Sequence, residues 1–182
     1  MGVRNYLIEG VSGSGKTTVA EELQRRGHHV IHGDRQFAYY GDPESGEPLD
    51  WPSDKSERDT VEWGYRHWIW PIEKVRLLAA DQRHAMTFFC GGSRNRHHFI
   101  DMFDEIFVLE VDPGALSRRL VARPEDEFGG KPIERELALR LQKTREDFPR
   151  NAVRIDATSP ITRVVDEILS KCPAAGQDAH CP

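Results

Sequence analysis

The sequence predicts an α/β fold, one layer of parallel strands set between helices. Three observations carry that expectation. Short apolar segments alternate with helical ones almost from the start of the chain. Each apolar segment runs into a Gly or Asp turn signal, and several of the helices that follow open on recognisable capping sequences. Strands that are apolar and separated by helical stretches belong to strand–helix–strand units around a buried parallel sheet.

Tyr6-Leu7-Ile8 is the first strand and ends at a Gly-rich turn; Thr17 to Arg26 then has helical spacing and is closed by Gly27. His29 to His32 is the second strand. Ala85 to Cys90 is the third, stopped by Gly91-Gly92. The fourth, Ile106 to Val111, runs into Asp112-Pro113, a capping residue followed by proline where a missing N–H costs little. The fifth, Ala152 to Ile155, ends at Asp156, and Ser159-Pro160 is expected to open the last helix by the same device.

At 182 residues the chain is expected to form one domain over residues 1–172, with a disordered tail over 173–182. The hydrophobic fraction of 38%, taken with 15 glycines, is that of a globular protein. Thirty acidic residues against 25 Lys and Arg give a net charge of −5, which disfavours a protein that coats nucleic-acid phosphates. No apolar run reaches the roughly 18 residues of a membrane span, and no signal-peptide or myristoylation pattern is present, so a cytosolic protein is expected. Cys90, Cys172 and Cys181 are too few and too oddly spaced for a disulfide framework or a zinc site. Cys90 reads as a small core residue.

Two stretches exceed what a simple crossover needs. Residues 35–84 begin with the turn-rich run Gly41 to Pro48, followed by a helical segment from about Glu57 to Ala80 that Pro71 should break or kink. Residues 123–132 form a polar loop between two helices. Long inserts in a compact domain are commonly lids or binding loops.

The run Gly10-Val11-Ser12-Gly13-Ser14-Gly15-Lys16-Thr17 matches the P-loop pattern G-x-x-x-x-G-K-[ST], with a strand before it and a helix after it. The glycines let the backbone wrap so that several N–H groups converge on phosphate oxygens at a helix N-terminus. Gly10, Ser12, Gly13, Ser14, Gly15, Lys16, Thr17 and Thr18 are therefore expected to bind ATP. Lys16 would reach the β- and γ-phosphates and the Thr17 hydroxyl would bind Mg²⁺. An acid at the end of the third strand would complete an ordinary site, yet that strand ends in Cys90-Gly91-Gly92-Ser93. The nearest acid is Asp34, directly after the second strand, where strand C-termini line the ligand crevice. It could take the proton of an attacking hydroxyl or hold Mg²⁺ through water.

On these residues the chain resembles the P-loop kinases of small metabolites, the group containing adenylate-type nucleoside monophosphate kinases, shikimate kinases and gluconate kinases. The P-loop followed by Gly33-Asp34 resembles gluconate kinases, and Ser45-Gly46-Glu47-Pro48-Leu49-Asp50 is similar to a substrate-region segment of theirs. Gly91-Gly92 resembles the glycine turn of shikimate kinases, where backbone approaches the acceptor. The resemblance spans residues 5–171 and implies a three-layer P-loop kinase fold with sheet order 2-3-1-4-5. It also implies an acceptor-binding insert at 35–84 and a lid at 123–132. Arg119 and Arg123 resemble the arginine pair that clamps phosphates in adenylate-type kinases, and Arg140 a further phosphate-contacting arginine. Cations carried by a closing lid would stabilise the spread charge of phosphoryl transfer and expel water. The bland alternative pairs these arginines with Glu125, Asp126 and Glu127 on the surface.

The acceptor is less legible. Residues 37–70 hold Phe37, Tyr39, Tyr40, Tyr65 and all four Trp, and Trp63 and Trp70 are seven apart, as on one helical face. Such aromatics suit stacking on a nucleobase as well as core packing. Arg35, Phe37, Gly91, Gly92 and Arg94 complete the expected acceptor site, with the arginines suited to a carboxylate or phosphate. His97-His98 suggest a metal but lack a third ligand. A nucleoside-like acceptor is read ahead of a sugar acid or an antibiotic. An ATP-binding regulator without acceptor chemistry is the alternative of another class, and nothing in the residues sets an oligomeric state.

Overall fold

The structure, a computed structural model, describes residues 4–172; the first three residues and the expected tail, with Cys181, lie outside them. In chain order the elements are β1 (Arg4–Glu9), α1 (Lys16–Arg25), β2 (His29–His32), the single turn α2 (Gly33–Gln36), β3 (Tyr39–Tyr40), α3 (Glu57–Arg66), β4 (Trp68–Ile69), α4 (Ile72–Ala79), β5 (Met86–Cys90), β6 (Glu105–Glu110), α5 (Pro113–Val121), α6 (Pro132–Thr144), β7 (Val153–Asp156) and α7 (Ile161–Ser170). Five strands form one parallel sheet in the order β2-β5-β1-β6-β7. Numbered among themselves these are 2-3-1-4-5, the expected P-loop kinase layout. No helix among the described residues is long and apolar enough to cross a membrane.

The sheet is buried because its strands are apolar on both faces. Tyr6 and Ile8 of β1, with Phe88, Phe107, Leu109 and Ile155 of the neighbouring strands, face one core. Val19 and Leu23 of α1, Leu116 and Leu120 of α5, and Val164, Val165 and Ile168 of α7 close over it. Leu7, Ile31 and Phe89 face a second core with Trp70, Val75, Phe99 and Phe103. Successive strand residues point to opposite faces, so adjacent apolar residues supply both layers. Cys90 is buried in the first core, as expected of a small apolar residue.

Register sets the position of the crevice. Ile8 pairs with Cys90 and Cys90 with His32, so β1, β5 and β2 end at one level. Gly10, Gly33 and Gly91 thus leave the sheet together at its C-terminal edge, where α/β folds bind ligands.

Three local expectations need correction. The helical segment expected from Glu57 to Ala80 stops at Arg66, before Pro71, because Trp68–Ile69 pairs antiparallel with Tyr39–Tyr40 as β4 and β3. Strands of two residues leave no periodicity to read. Trp63 and Trp70 consequently share no helix: Trp63 lies on α3, while Trp70 follows β4 and is fully buried. Ser159 does not cap α7; Pro160 holds the capping position without a side-chain bond, and the Ser159 hydroxyl turns to Asp156. Asp112 does cap α5, accepting from the Ala115 N–H at 3.0 Å with Pro113 in the first turn.

Trp70 wedges the crevice floor. A Cβ on Gly33 would lie 2.3 Å from its indole and one on Gly91 2.6 Å, so each position tolerates only hydrogen there. Gly91 also has φ +152, which side chains rarely adopt. Phe99 stacks on the indole at 5.9 Å and Phe37 meets it edge-on at 5.4 Å. Buried Asn95 fixes the backbone behind it, accepting from the Trp70 N–H at 3.1 Å and donating to the Trp70 carbonyl at 2.8 Å.

Asn95→Ala leaves the buried Trp70 carbonyl without that donor. The expected cost is about 1–3 kcal/mol of unfolding free energy, read as a lower urea midpoint at constant slope. An unchanged midpoint would mean that the anchor does not hold the wedge.

Candidate active site

The phosphate-binding loop forms because β1 ends where Gly10 begins and α1 starts at Lys16. Gly15, with φ +103, occupies the capping position of α1 and offers no side-chain acceptor. The first-turn N–H groups of α1 therefore have neither a capping side chain nor an intrahelical carbonyl, and present partial positive charge to the cleft. The Lys16 ammonium donates to the Gly10 carbonyl at 2.5 Å and the Val11 carbonyl at 3.2 Å. Burial holds its pKa below the ordinary lysine value, opposed by Asp34 and Glu9. Ser14 is fully buried and its Oγ has no partner among the described residues. All eight expected nucleotide-binding positions from Gly10 to Thr18 line one cleft of about 1120 Å³.

Asp34, on α2, lines the same cleft. Its Oδ1 accepts from the Trp68 indole N–H at 3.1 Å, the Trp70 indole N–H at 3.2 Å and the Gly92 N–H at 3.1 Å; Gly92 also lies 3.2 Å from Oδ2. Three donors from two segments thus orient one carboxylate beside the phosphate loop. Gly91 and Gly92 line the cleft, with the Gly91 N–H given to the Ile8 carbonyl, and Arg35 is exposed at the cleft rim.

The aromatic insert divides its work. Tyr40, Tyr65 and Trp68 line the cleft. Trp51 and Trp63 pack around Tyr40 at 4.9 and 5.7 Å, supporting that wall from behind. Phe37 packs on Trp70 and does not line the cleft. Arg94 lines it but is already engaged: it donates to Asp147 and, at 2.6 Å, to the Tyr65 hydroxyl, with its guanidinium over the Tyr65 ring. Arg96 grips the same Asp147 from the other side at 3.1 Å.

The three lid-side arginines separate. Arg119 lies along the phosphate loop, donating to the Ser14 carbonyl at 3.3 Å and the Ala157 carbonyl at 2.9 Å. Arg123 falls just beyond α5, lines the cleft and pairs with Glu127 at 2.6 Å, one of the surface partners weighed for it. Arg140 stands apart, in a two-bond pair with Glu62 of α3 at 2.5 and 3.0 Å. Loop 123–132 touches the phosphate loop directly, where the Ser12 hydroxyl donates to the Phe128 carbonyl at 2.6 Å.

Sequence reasoning missed the roles of three residues that line the cleft, Glu9, Trp68 and Asp147, and of Trp70 behind them. Trp68 and Trp70 matter here as N–H donors, which their number alone did not reveal. Asp147 follows α6 with no motif around it. Glu9 carried a signal, an acid at the end of an apolar strand beside the P-loop. It is 4% exposed, its Oε1 has no partner among the described residues, and Arg96 is 3.7 Å from Oε2. Burial pushes its carboxyl up to about 7, against the pull of Arg96, Arg94 and Lys16.

A family model described as an AAA domain matches residues 7–142, most of the chain, and the chain belongs to that family. No curated protein matches it. Among solved structures it is similar to a gluconokinase from Sinorhizobium meliloti 1021, at 22% identity over 92% of this chain and 90% of that one, with a TM-score of 0.51. It is similar to a shikimate kinase from Bacteroides thetaiotaomicron at 16% identity, 92% and 97% coverage and a TM-score of 0.56. It is also similar to a deoxyadenosine kinase from M. mycoides with bound dATP, at 16% identity, 92% and 98% coverage and a TM-score of 0.54. The shared feature is the P-loop kinase fold.

The Glu9 carboxyl binds its proton more tightly in the folded chain than in the unfolded one. Its contribution to stability is therefore full below about pH 4.5 and declines as pH rises towards about 7. Glu9→Gln has no such proton to lose. Its Tm should match the wild type near pH 4 and exceed it by several degrees near pH 8; equal Tm differences at the two pH values would show that Glu9 does not titrate this way.

Proposed function

We propose that this member of the AAA domain family is a cytosolic ATP-dependent kinase of a small metabolite, with a nucleoside-like acceptor. The carrying observation is that Asp34, oriented by three N–H donors, shares one cleft with Lys16 and the phosphate loop. The residues suit Mg-ATP: uncapped N–H groups, an ammonium and the buried Ser14 hydroxyl, unpartnered among the described residues, gather at one helix start, with Thr17 and Asp34 on its flank. Lys16 and the loop N–H groups would hold the phosphates, while Thr17 and Asp34, the latter through water, would hold Mg²⁺. The ion, when bound, supplies neutralisation of phosphate charge.

Asp34 accepts the proton of the acceptor hydroxyl as that oxygen bonds to the γ-phosphorus and the bond to the β–γ bridging oxygen breaks, so ADP leaves. Arg119 beside the loop and Arg123 on the lid stabilise charge on the transferring group, and the lid keeps water out.

Two features favour a nucleoside-like acceptor. Tyr40, Tyr65 and Trp68 line the cleft, and aromatic side chains suit stacking on a base. Arg94, whose guanidinium lies over the Tyr65 ring, is already engaged by Asp147, which also holds Arg96. A sugar acid would need a cation there for its carboxylate. Arg35 at the rim keeps a sugar-acid acceptor as the second reading. The solved neighbours named above bear three different acceptor names on one fold, so fold alone does not choose among them.

The test is ADP release from Mg-ATP with three acceptor pools: nucleosides, nucleoside monophosphates, and sugar acids with other polyols. Stimulation by nucleosides is expected. Stimulation by sugar acids alone would move the assignment to the second reading, and acceptor-independent turnover would replace it with an ATP-binding regulator.

A further inference from the structure

Outside the cleft, folding brings a third ligand to the histidine pair. We propose that Glu44, His97 and His98 form a binding site for a divalent transition-metal ion of the zinc class, which braces the turn after β3 against the segment after β5. One ligand atom from each residue lies within 4.8 Å of the other two. His97 Nε2 and Glu44 Oε1 are already 3.5 Å apart. Bonds of 2.0–2.2 Å in a tetrahedral site place ligand atoms about 3.3 Å from one another, so the remaining adjustment is a side-chain rotation.

Both ligand-bearing segments are held from below. Asp42 Oδ1 accepts from the Glu44 N–H at 3.0 Å and the Ser45 N–H at 2.8 Å, and Tyr39 donates to the Gly46 carbonyl at 2.6 Å. His97 and His98 end a 3₁₀ turn that begins at Arg96, next to buried Asn95, with their rings 4.1 Å apart. His98 Nε2 faces the Pro43 carbonyl at 3.1 Å. A proton on Nε2 directed at that carbonyl leaves the Nδ1 lone pair for a metal, the outer-shell arrangement that commonly orients ligating histidines.

The donor set names the ion class. Two imidazoles and one carboxylate suit zinc and its borderline neighbours, whereas Mg²⁺ prefers oxygen ligands. Glu44 and His97 are exposed, so the ion has a direct entry path. Three protein ligands leave a fourth position for water. The brace would join the walls of the cleft behind Tyr40 and Arg94, and it does not depend on what the cleft phosphorylates.

The experiment is calorimetric titration of the full, chelator-treated chain with zinc chloride, without nucleotide, alongside Tm measurement. One equivalent should bind with a rise in Tm. His97→Ala and Glu44→Gln, both at exposed side chains, should each weaken that binding about tenfold or more while leaving the metal-free Tm within a degree or so of wild type. Absence of one-equivalent binding would overturn the site, as would binding that persists at wild-type affinity in both variants. Binding is read directly, so loss of kinase activity and loss of this site are separate results.

Discussion

The Trp70 indole is the piece on which the cleft depends. It fills the gap where β2 and β5 release their chains, and its bulk requires hydrogen rather than a side chain at Gly33 and Gly91. Its ring N–H then points at Asp34, and its backbone is tied to Asn95. One side chain thereby couples core packing to the orientation of the Asp34 carboxylate. The same wedge explains why the turn after β5 carries glycine where an acid would have been expected. The Gly92 N–H at that level serves Asp34, which arrives from the neighbouring strand.

Charge is the second constraint. Glu9, Lys16, Arg94, Arg96 and Asp147 are all withdrawn from bulk water around one crevice, where an unpaired charge is expensive. Asp147 accepts from both arginines, which lets it link the segment after α6 to the turn after β5. Glu9 meets Arg96 only at 3.7 Å and is the least compensated member, so its proton is the group's adjustable charge. The lid-side arginines differ: the Arg123 and Arg140 side chains are 30% and 44% exposed, so solvent competes for their pairs with Glu127 and Glu62.

Much of this was legible in the residues. The P-loop is a local motif with a strand on one side and a helix on the other, so its position needed no long-range information. Asp34 could be placed because strand ends face the crevice in any parallel sheet. Trp63 and Trp70 show the limit: their spacing matched a helix face, but pairing of Trp68–Ile69 with Tyr39–Tyr40 broke the helix first. Asp147 and Glu44 were invisible for a related reason. Each gains its meaning from a partner brought close only by the fold, Arg94 and Arg96 in one case and the histidine pair in the other. Phe37 and Arg140 were marked for ligand contact on resemblance and composition, and tertiary packing gives them Trp70 and Glu62 instead.

The central claim is that Asp34 is a base rather than a structural acceptor of N–H groups. Single-turnover phosphoryl transfer by Asp34→Asn, set beside its ATP affinity, addresses this directly, because the amide oxygen can still accept from Trp68, Trp70 and Gly92. If Asp34 is the base, transfer is slower by about 10²–10⁴-fold with ATP affinity within a few-fold of wild type. Transfer at the wild-type rate would contradict that claim.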